Sequence, residues 1–263
     1  MPTIVFVADS HCGSRWGLTP PSWHGFRDAL SELRVQAWNQ YMLFAEEIQK
    51  VGKVDLVVAA GDLIDGGQTR AEGLGILTAD YYEQARMAAE ALAIWDAPFA
   101  ICRGTPYHVT HGADWEDIVA TELIRMGKEV QKVADHLELR YGPITVSVRH
   151  YASRARLPHT RTAPILKEWL EEVVAATEGA RESSPRIIVR AHAHYYVAVD
   201  GGDWLAISLP ALCVGGRYVR HIPLSVTHFG VVLLNVEKGG WGWEKYLRRC
   251  TSCPEVVEFP GWK

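Results

Sequence analysis

Apolar residues along the chain alternate between two spacings. Residues 3–8 form an unbroken β-branched and aromatic run that stops at Asp9, the pattern of a buried strand entering a loop. From 28 to 50, Leu30, Leu33, Ala37, Tyr41, Phe44 and Ile48 recur every three or four residues, which places them on one helix face. A strand is predicted at 54–60, a helix at 79–95 with Tyr82, Ala85, Ala89 and Leu92 on one face, and a strand at 98–102. Such alternation is the βαβαβ signature of a parallel sheet. Beyond it, the pattern predicts a helical region over 115–136, a strand over 144–150 and a strand over 186–191. Between those strands a helix is striped by Ile165, Leu166, Trp169, Leu170, Val173 and Val174. Short runs at 195–199, 204–209 and 229–236 are then separated by Gly201-Gly202, Gly215-Gly216 and Gly239-Gly240, so hairpins replace crossovers. With no internal repeat or linker, the reading is one domain over 1–263, which includes the terminal hairpin strands from about 195.

Composition narrows the class. At 263 residues and 48% hydrophobic, the chain is long enough to bury a sizeable core. Its 27 Lys+Arg against 31 Asp+Glu give a formal charge of −4, which argues against coating nucleic acid by bulk charge. Any attraction for phosphate must be local. No stretch reaches the roughly 18 apolar residues of a membrane helix, and the first apolar run lacks a basic segment before it, so it reads as a strand and not a signal peptide. A cytoplasmic protein without membrane contact is expected. Five cysteines, with Cys12, Cys102 and Cys213 standing alone, do not make a disulfide framework. Cys250 and Cys253 have the spacing of half a zinc site, but no second pair follows, and an ordinary reduced tail is expected.

Candidate chemistry collects where predicted strands end. Asp9 and His11 follow the first strand, Asp62 and Asp65 the second, and His108 and His111 the third; His150 ends the fourth, and His192 with His194 follow the fifth. One such triplet means little alone. Ligands in open α/β sheets gather at the carboxyl edge of the strands, so clusters sharing that edge can converge on one site. Carboxylate oxygen and imidazole nitrogen together suit Mn²⁺, Fe and Zn²⁺, and a two-metal centre needs one carboxylate shared between the ions.

In order, Asp9-x-His11, Gly61-Asp62-x-x-Asp65, the stretch from Gly104, His150 and Ala191-His192-x-His194 resemble the motifs of the calcineurin-like metallophosphoesterases. The resemblance implies a four-layer α/β/β/α sandwich and a centre of two divalent ions, Mn²⁺ first, with Fe, Zn²⁺ and Ni²⁺ as alternatives. It assigns Asp9, His11 and His194 to one ion, His150 and His192 to the other, and Asp62 as the bridge. It also implies hydrolysis of a phosphomonoester or phosphodiester by attack of a metal-bound hydroxide. Asp65 reads as a loop anchor or as the acceptor that orients a metal-bound histidine.

The sequence departs from that family pattern in two places. Ala191 stands where the family has glycine. The family's Gly-Asn-His becomes Gly104-Thr105-Pro106-Tyr107-His108, a form that resembles phage-encoded members. Thr105 takes the position of a metal-binding Asn, and a hydroxyl is a poorer ligand than an amide oxygen. Two arrangements are open: His108 protonates the leaving group, or it supplies the missing ligand and leaves the acid role to His111. The former is preferred, with His108 and Asp62 as the catalytic pair. Arg15, Thr105, His111 and Arg154 are the candidate substrate contacts.

Stretches 10–27, 139–167 and 204–236 contain no Asp or Glu. Arg15, Arg27, Arg149, Arg154, Arg156, Arg161, Arg217 and Arg220 in them predict a cationic rim. Trp16, Trp23 and Phe26 either stack on bases or pack their loop onto the sheet. A nucleotide or nucleic acid is therefore a possible substrate, and two alternatives stand beside the phosphoesterase: a catalytically silent scaffold of the same fold, and a nuclease acting on DNA or RNA ends.

Overall fold

Strands β1 (Thr3–Val7), β2 (Leu56–Ala60), β3 (Phe99–Cys102) and β4 (Val130–Ala134) run parallel, with Ile4 opposite Leu56 and Val57 opposite Phe99. They belong to a computed structural model that describes residues 1–68, 73, 75–108, 114–155, 157–215 and 226–251. A second sheet contains β5 (His136–Tyr141), β6 (Ile144–Arg149), β7 (Ile187–Arg190), β8 (Val197–Asp200) and β9 (Leu205–Ser208) in the order β5-β6-β7-β9-β8. The hairpin of β10 (Val226–Glu237) and β11 (Gly240–Thr251) returns to the first sheet, where β10 pairs antiparallel with β1. That completes a six-stranded sheet ordered β11-β10-β1-β2-β3-β4.

The two-residue period of β1 sorts its side chains between two cores. Val5 and Val7 pack with α1 (Ser31–Val51), α2 (Tyr81–Leu92) and α3 (Trp115–Arg125), while Ile4, Phe6 and Ala8 pack between the sheets with Val146, Val148 and Val189. On the far side of the second sheet lies α4 (Thr162–Thr177). The layers are therefore α/β/β/α, as the sequence predicts. Among the described residues, no helix is long and apolar enough to cross a membrane.

The structure corrects four sequence readings. The helical region at 115–136 ends at Arg125, because Gly127 takes a left-handed φ of 79° and lets Gly127 N–H and Lys128 N–H close on the carbonyls of Ile124 and Leu123, each at 2.9 Å. The chain then forms the edge strands β4 and β5. On α1 the buried face includes Arg34, whose guanidinium meets Asp28 Oδ1 at 2.8 Å and Phe26 O at 2.8 Å. Tyr82 of α2 points outward instead of joining the buried face.

Along α4 the predicted apolar stripe is mostly exposed: Leu166, Leu170 and Val174 face outward, and only Ile165 and Glu172 are buried. The cause lies in the sheet beneath, which presents polar groups. Arg190 is fully buried and donates to Glu172 Oε1 (2.7 Å) and Glu168 Oε2 (3.1 Å); Ser147 Oγ also donates to Glu172 Oε1 (2.8 Å). Arg181 and Arg149 complete the ring of donors around Glu172. Removing one partner of such a buried pair leaves a stranded charge, typically at about 3–5 kcal/mol. Glu172→Ala should lower unfolding stability by about 3 kcal/mol in denaturant titration. A loss below about 1 kcal/mol would mean that Glu168 alone neutralises Arg190.

Candidate metal centre

Because β1, β2 and β3 are parallel, their carboxyl ends share one edge, and the loops leaving them stay paired. Asp9 N–H donates to Gly61 O (3.0 Å), His11 N–H to Asp62 O (3.1 Å) and Cys12 N–H to Leu63 O (3.0 Å). In the second sheet, Ala191 N–H donates to His150 O (2.9 Å) beyond β6 and β7. Two bonds then cross between the sheets, from His150 Nδ1 to Ala60 O (2.6 Å) and from His192 N–H to Asp9 Oδ2 (3.1 Å). Asp9, His11, Asp62, His192 and His194 all take left-handed φ values between 42° and 65°. Non-glycine residues rarely do so, at about 1 kcal/mol or more each, and such conformations concentrate at functional sites. Ala191 is not among the left-handed residues, which explains why it can stand in the family's glycine position.

Gly61 and Gly104 let three chain segments meet here. A Cβ on Gly61 would lie 2.7 Å from His150 Nδ1, and one on Gly104 would lie 2.2 Å from Asp62 Oδ1. Thr105 follows, and both its N–H (2.6 Å) and its hydroxyl (3.1 Å) donate to Asp62 Oδ1. The other oxygen, Asp62 Oδ2, faces His150 Nε2 at 3.0 Å, His108 Nε2 at 3.7 Å and His192 Nδ1 at 3.9 Å. Asp9 Oδ1 lies 3.3 Å from His194 Nε2, 3.8 Å from His11 Nε2 and 3.9 Å from His150 Nε2.

Asp9 Oδ1, His150 Nε2 and His192 Nδ1 are nevertheless buried without a well-directed hydrogen bond. Buried polar atoms almost always have a partner, so atoms that converge without bonding each other fit a common third atom between them. Among the donor groups, Asp9–His11–Asp62 and Asp62–His150–His192 share Asp62, and two others join His11 to His194 and Cys213 and to Asp65 and His108. Oxygen and imidazole donors of this kind fit divalent ions.

The second atoms of the imidazoles are also fixed. Ala60 O accepts from His150 Nδ1, so on the neutral ring Nε2 is the lone-pair nitrogen facing the centre. His11 Nδ1 meets Asp65 Oδ1 at 3.1 Å, and Gln68 Nε2 holds the other oxygen of Asp65. Burial disfavours a charge on either ring, but Asp65 raises His11, and Asp62 with Asp9 raises His150, each to about 9. Burial likewise opposes ionisation of Asp62, yet His150, His192 and His108 hold its carboxyl well below the usual range. For Asp9, burial and Asp62 push up while His194 and His150 pull down, and the net direction is down.

Residues 2–206 match the calcineurin-like phosphoesterase family. The chain belongs to that family. Solved structures similar to it include an archaeal phosphodiesterase (13% identity, TM-score 0.47, covering 92% of this chain and 99% of that one). A zinc complex of Vps29 from Entamoeba histolytica gives 10% identity and a TM-score of 0.43, covering 95% of this chain and 98% of that one. A protein described as a predicted phosphoesterase from Streptococcus pneumoniae gives 14% identity and a TM-score of 0.38, covering 95% and 98%. No curated protein matches the chain.

Of the residues singled out in the sequence, Asp9, His11, Asp62, His150, His192 and His194 meet in one cluster. His108 joins its rim, with Nδ1 on Asp65 O (2.8 Å) and its ring centroid 4.6 Å from that of His11. Thr105 contacts Asp62. Arg15 is tied up elsewhere, its Nε 2.7 Å from Asp28 Oδ2, and Trp23 packs on the outer core with its indole N–H on Glu90 (3.1 Å). Arg149 belongs to the Glu172 network. His111, Arg156, Arg217, Arg220 and Cys253 lie outside the described residues.

Three supporting residues carry no sequence signal of their own. Cys213 Sγ meets His194 Nδ1 at 3.4 Å, from a segment that reads as plain apolar chain. Gln84 is buried and clamps Gly66 by donating to Gly66 O (3.1 Å) and accepting from Gly66 N–H (2.9 Å). Glu116, buried on α3, accepts from Gly104 N–H (3.2 Å). Burial first and the nearby Asp62 second push the Glu116 carboxyl up to about 7.

Gly104→Ala should displace Asp62 and lower the metal content of the purified protein, measured by elemental analysis, to less than half; unchanged content would show that the loop moves instead. Glu116 gives a pH test. Its folded value lies above its ordinary 4.5, so wild type is least penalised below pH 4.5 and loses stability as pH rises through 7. Glu116→Gln should match wild type near pH 4.5 and exceed it by about 3 kcal/mol at pH 8. A pH-independent difference in denaturation midpoint would contradict that linkage.

Proposed function

We propose that the chain hydrolyses phosphomonoesters or phosphodiesters at a centre of two divalent ions, with Mn²⁺ the first choice of metal. The observation that carries this reading is that Asp62 is shared by the Asp9–His11 and the His150–His192 donor groups. Asp9, His11 and His194 would hold one ion, His150 and His192 the other, and Asp62 both. When bound, such ions polarise phosphoryl oxygens and make hydroxide available near neutral pH.

The chain's own groups do the rest. Imidazoles hold the carboxyls of Asp62 and Asp9 below their ordinary range despite burial. Ala60 O and Asp65 fix which ring nitrogen His150 and His11 present. Thr105 N–H holds Asp62 Oδ1 and its hydroxyl reaches both oxygens, while Oδ2 faces His150. His108 is anchored through Nδ1 on a carbonyl that can only accept, so on the protonated ring Nε2, facing Asp62, would pass a proton to the leaving oxygen; burial lowers the pKa of this ring and Asp62 opposes that shift.

With Mn²⁺ added, hydrolysis of nitrophenyl phosphate or bis-nitrophenyl phosphate should fall at least about 100-fold in Asp62→Asn. Equal rates in the variant and wild type would refute the proposal and favour a binding scaffold. His108→Ala should slow esters of poorly leaving alcohols by about 10²- to 10⁴-fold, and nitrophenyl esters far less, since nitrophenolate needs little protonation. An equal loss on both classes would remove His108 from the acid role.

A further inference from the structure

Beside the centre, three cations lie near one histidine, a fourth shares a segment with one of them, and among the described residues no acid pairs with any. His228 of β10 donates its backbone N–H to His194 O (2.9 Å), and its Nδ1 accepts from Tyr196 N–H (2.9 Å). Lys245 Nζ lies 5.0 Å from the Tyr196 ring centroid, and Arg249 sits directly opposite His228 in the β10–β11 pair. From the other side, Arg161 places its guanidinium 5.0 Å from the ring of Tyr195, the residue after His194. Arg154 lies on the same segment, which is pinned where Ala155 N–H donates to the Tyr195 hydroxyl (3.1 Å).

Nothing among the described residues neutralises this group. Arg161 Nε is buried without an acceptor, and no carboxylate ion-pairs with Arg154, Arg161, Lys245 or Arg249. Cations gathered without counter-charges repel one another and attract an anion. In a chain of net charge −4, such a concentration is a local feature and not an overall bias. On the opposite side of the centre, Tyr151 is 59% exposed, with its ring centroid 5.0 Å from that of His192. An exposed aromatic face at that point suits a base.

We propose that this face is a track for single-stranded nucleic acid: the backbone phosphates next to the scissile one lie along Arg154, Arg161, Arg249 and Lys245, and Tyr151 stacks on a base. The proposal rests on the phosphoesterase reading for where the scissile phosphate sits, and it names the substrate class of that centre. Inorganic polyphosphate would satisfy the cations but leave Tyr151 without a partner.

Binding is best read without turnover, by fluorescence anisotropy of a labelled oligothymidine of roughly twelve nucleotides with phosphorothioate linkages. The triple variant R161Q/K245Q/R249Q should bind at least about 10-fold more weakly than wild type at low salt. Its log–log salt slope should be shallower by about 2, near 0.7 for each lost phosphate contact on a single strand. K50Q/K53Q/K132Q, with the same charge change on other exposed surfaces, should shift binding less than about twofold. Tyr151→Ala should weaken oligothymidine severalfold and leave inorganic polyphosphate unaffected. Should the triple variant melt early, the single variants at the exposed Lys245 and Arg249 carry the test, each expected to change the slope by about 0.7.

Equal losses in the two triple variants, or no binding by wild type, would overturn the track. Polyphosphate binding as tightly as oligothymidine, with no effect of Tyr151→Ala, would overturn the nucleic-acid assignment. Track-dependent binding in a protein that hydrolyses neither nitrophenyl ester would uphold the track and refute the phosphoesterase reading. Hydrolysis of those esters without track-dependent binding would do the reverse.

Discussion

Asp9 and Asp62 are buried within one small volume, at 0% and 1% exposure, and each disfavours ionisation of the other. Desolvating an ion costs several kcal/mol even after the protein relaxes, and Coulomb repulsion between like charges adds to it. Much of the architecture answers that cost. The first sheet brings the two carboxylates together through paired parallel loops but supplies few cations to offset them. Three of the imidazoles come from the second sheet, on the loops after β6 and β7. The two layers are therefore bound by more than their shared apolar core: His150 reaches the Ala60 carbonyl, and the His192 amide reaches Asp9. The second layer thus supplies most of the groups that pull the two carboxyls down.

Much of this was legible in the sequence because both of its signals are local. A run of β-branched residues ending at Asp or His marks a strand and the loop after it, and parallel pairing sends all such loops to one edge. Asp9, His11, Asp62, His150, His192 and His194 thus declare themselves through motif and position alone. The illegible parts depend on contacts distant in sequence. Cys213 supports His194 from an apolar stretch, and Glu116 supports Gly104 from the buried side of a helix whose pattern predicts only packing.

Where the fold reading failed, edges and polar layers were responsible. Val130 and Val133 are three apart and mimic a helix, whereas the edge strand they belong to has little apolar alternation to declare itself. On α4, six apolar residues suggested a broad buried face. The sheet beneath needed a counter-charge for Arg190, so Glu172 is buried and Leu170 stays outside. Hydrophobic period reports which residues could pack; it does not report what the opposing layer offers.

The left-handed backbone at Asp9, His11, Asp62, His192 and His194 has a bearing on how such a centre can change. Asp and His, with Asn, are among the few non-glycine side chains that enter this region with some frequency. Metal affinity and backbone conformation thus select the same residue types at the same positions. A β-branched or bulky replacement would distort the loop before its effect on any ion could be judged. Redesign of the centre toward a different metal would have to rebuild the turns first and exchange the donors afterwards.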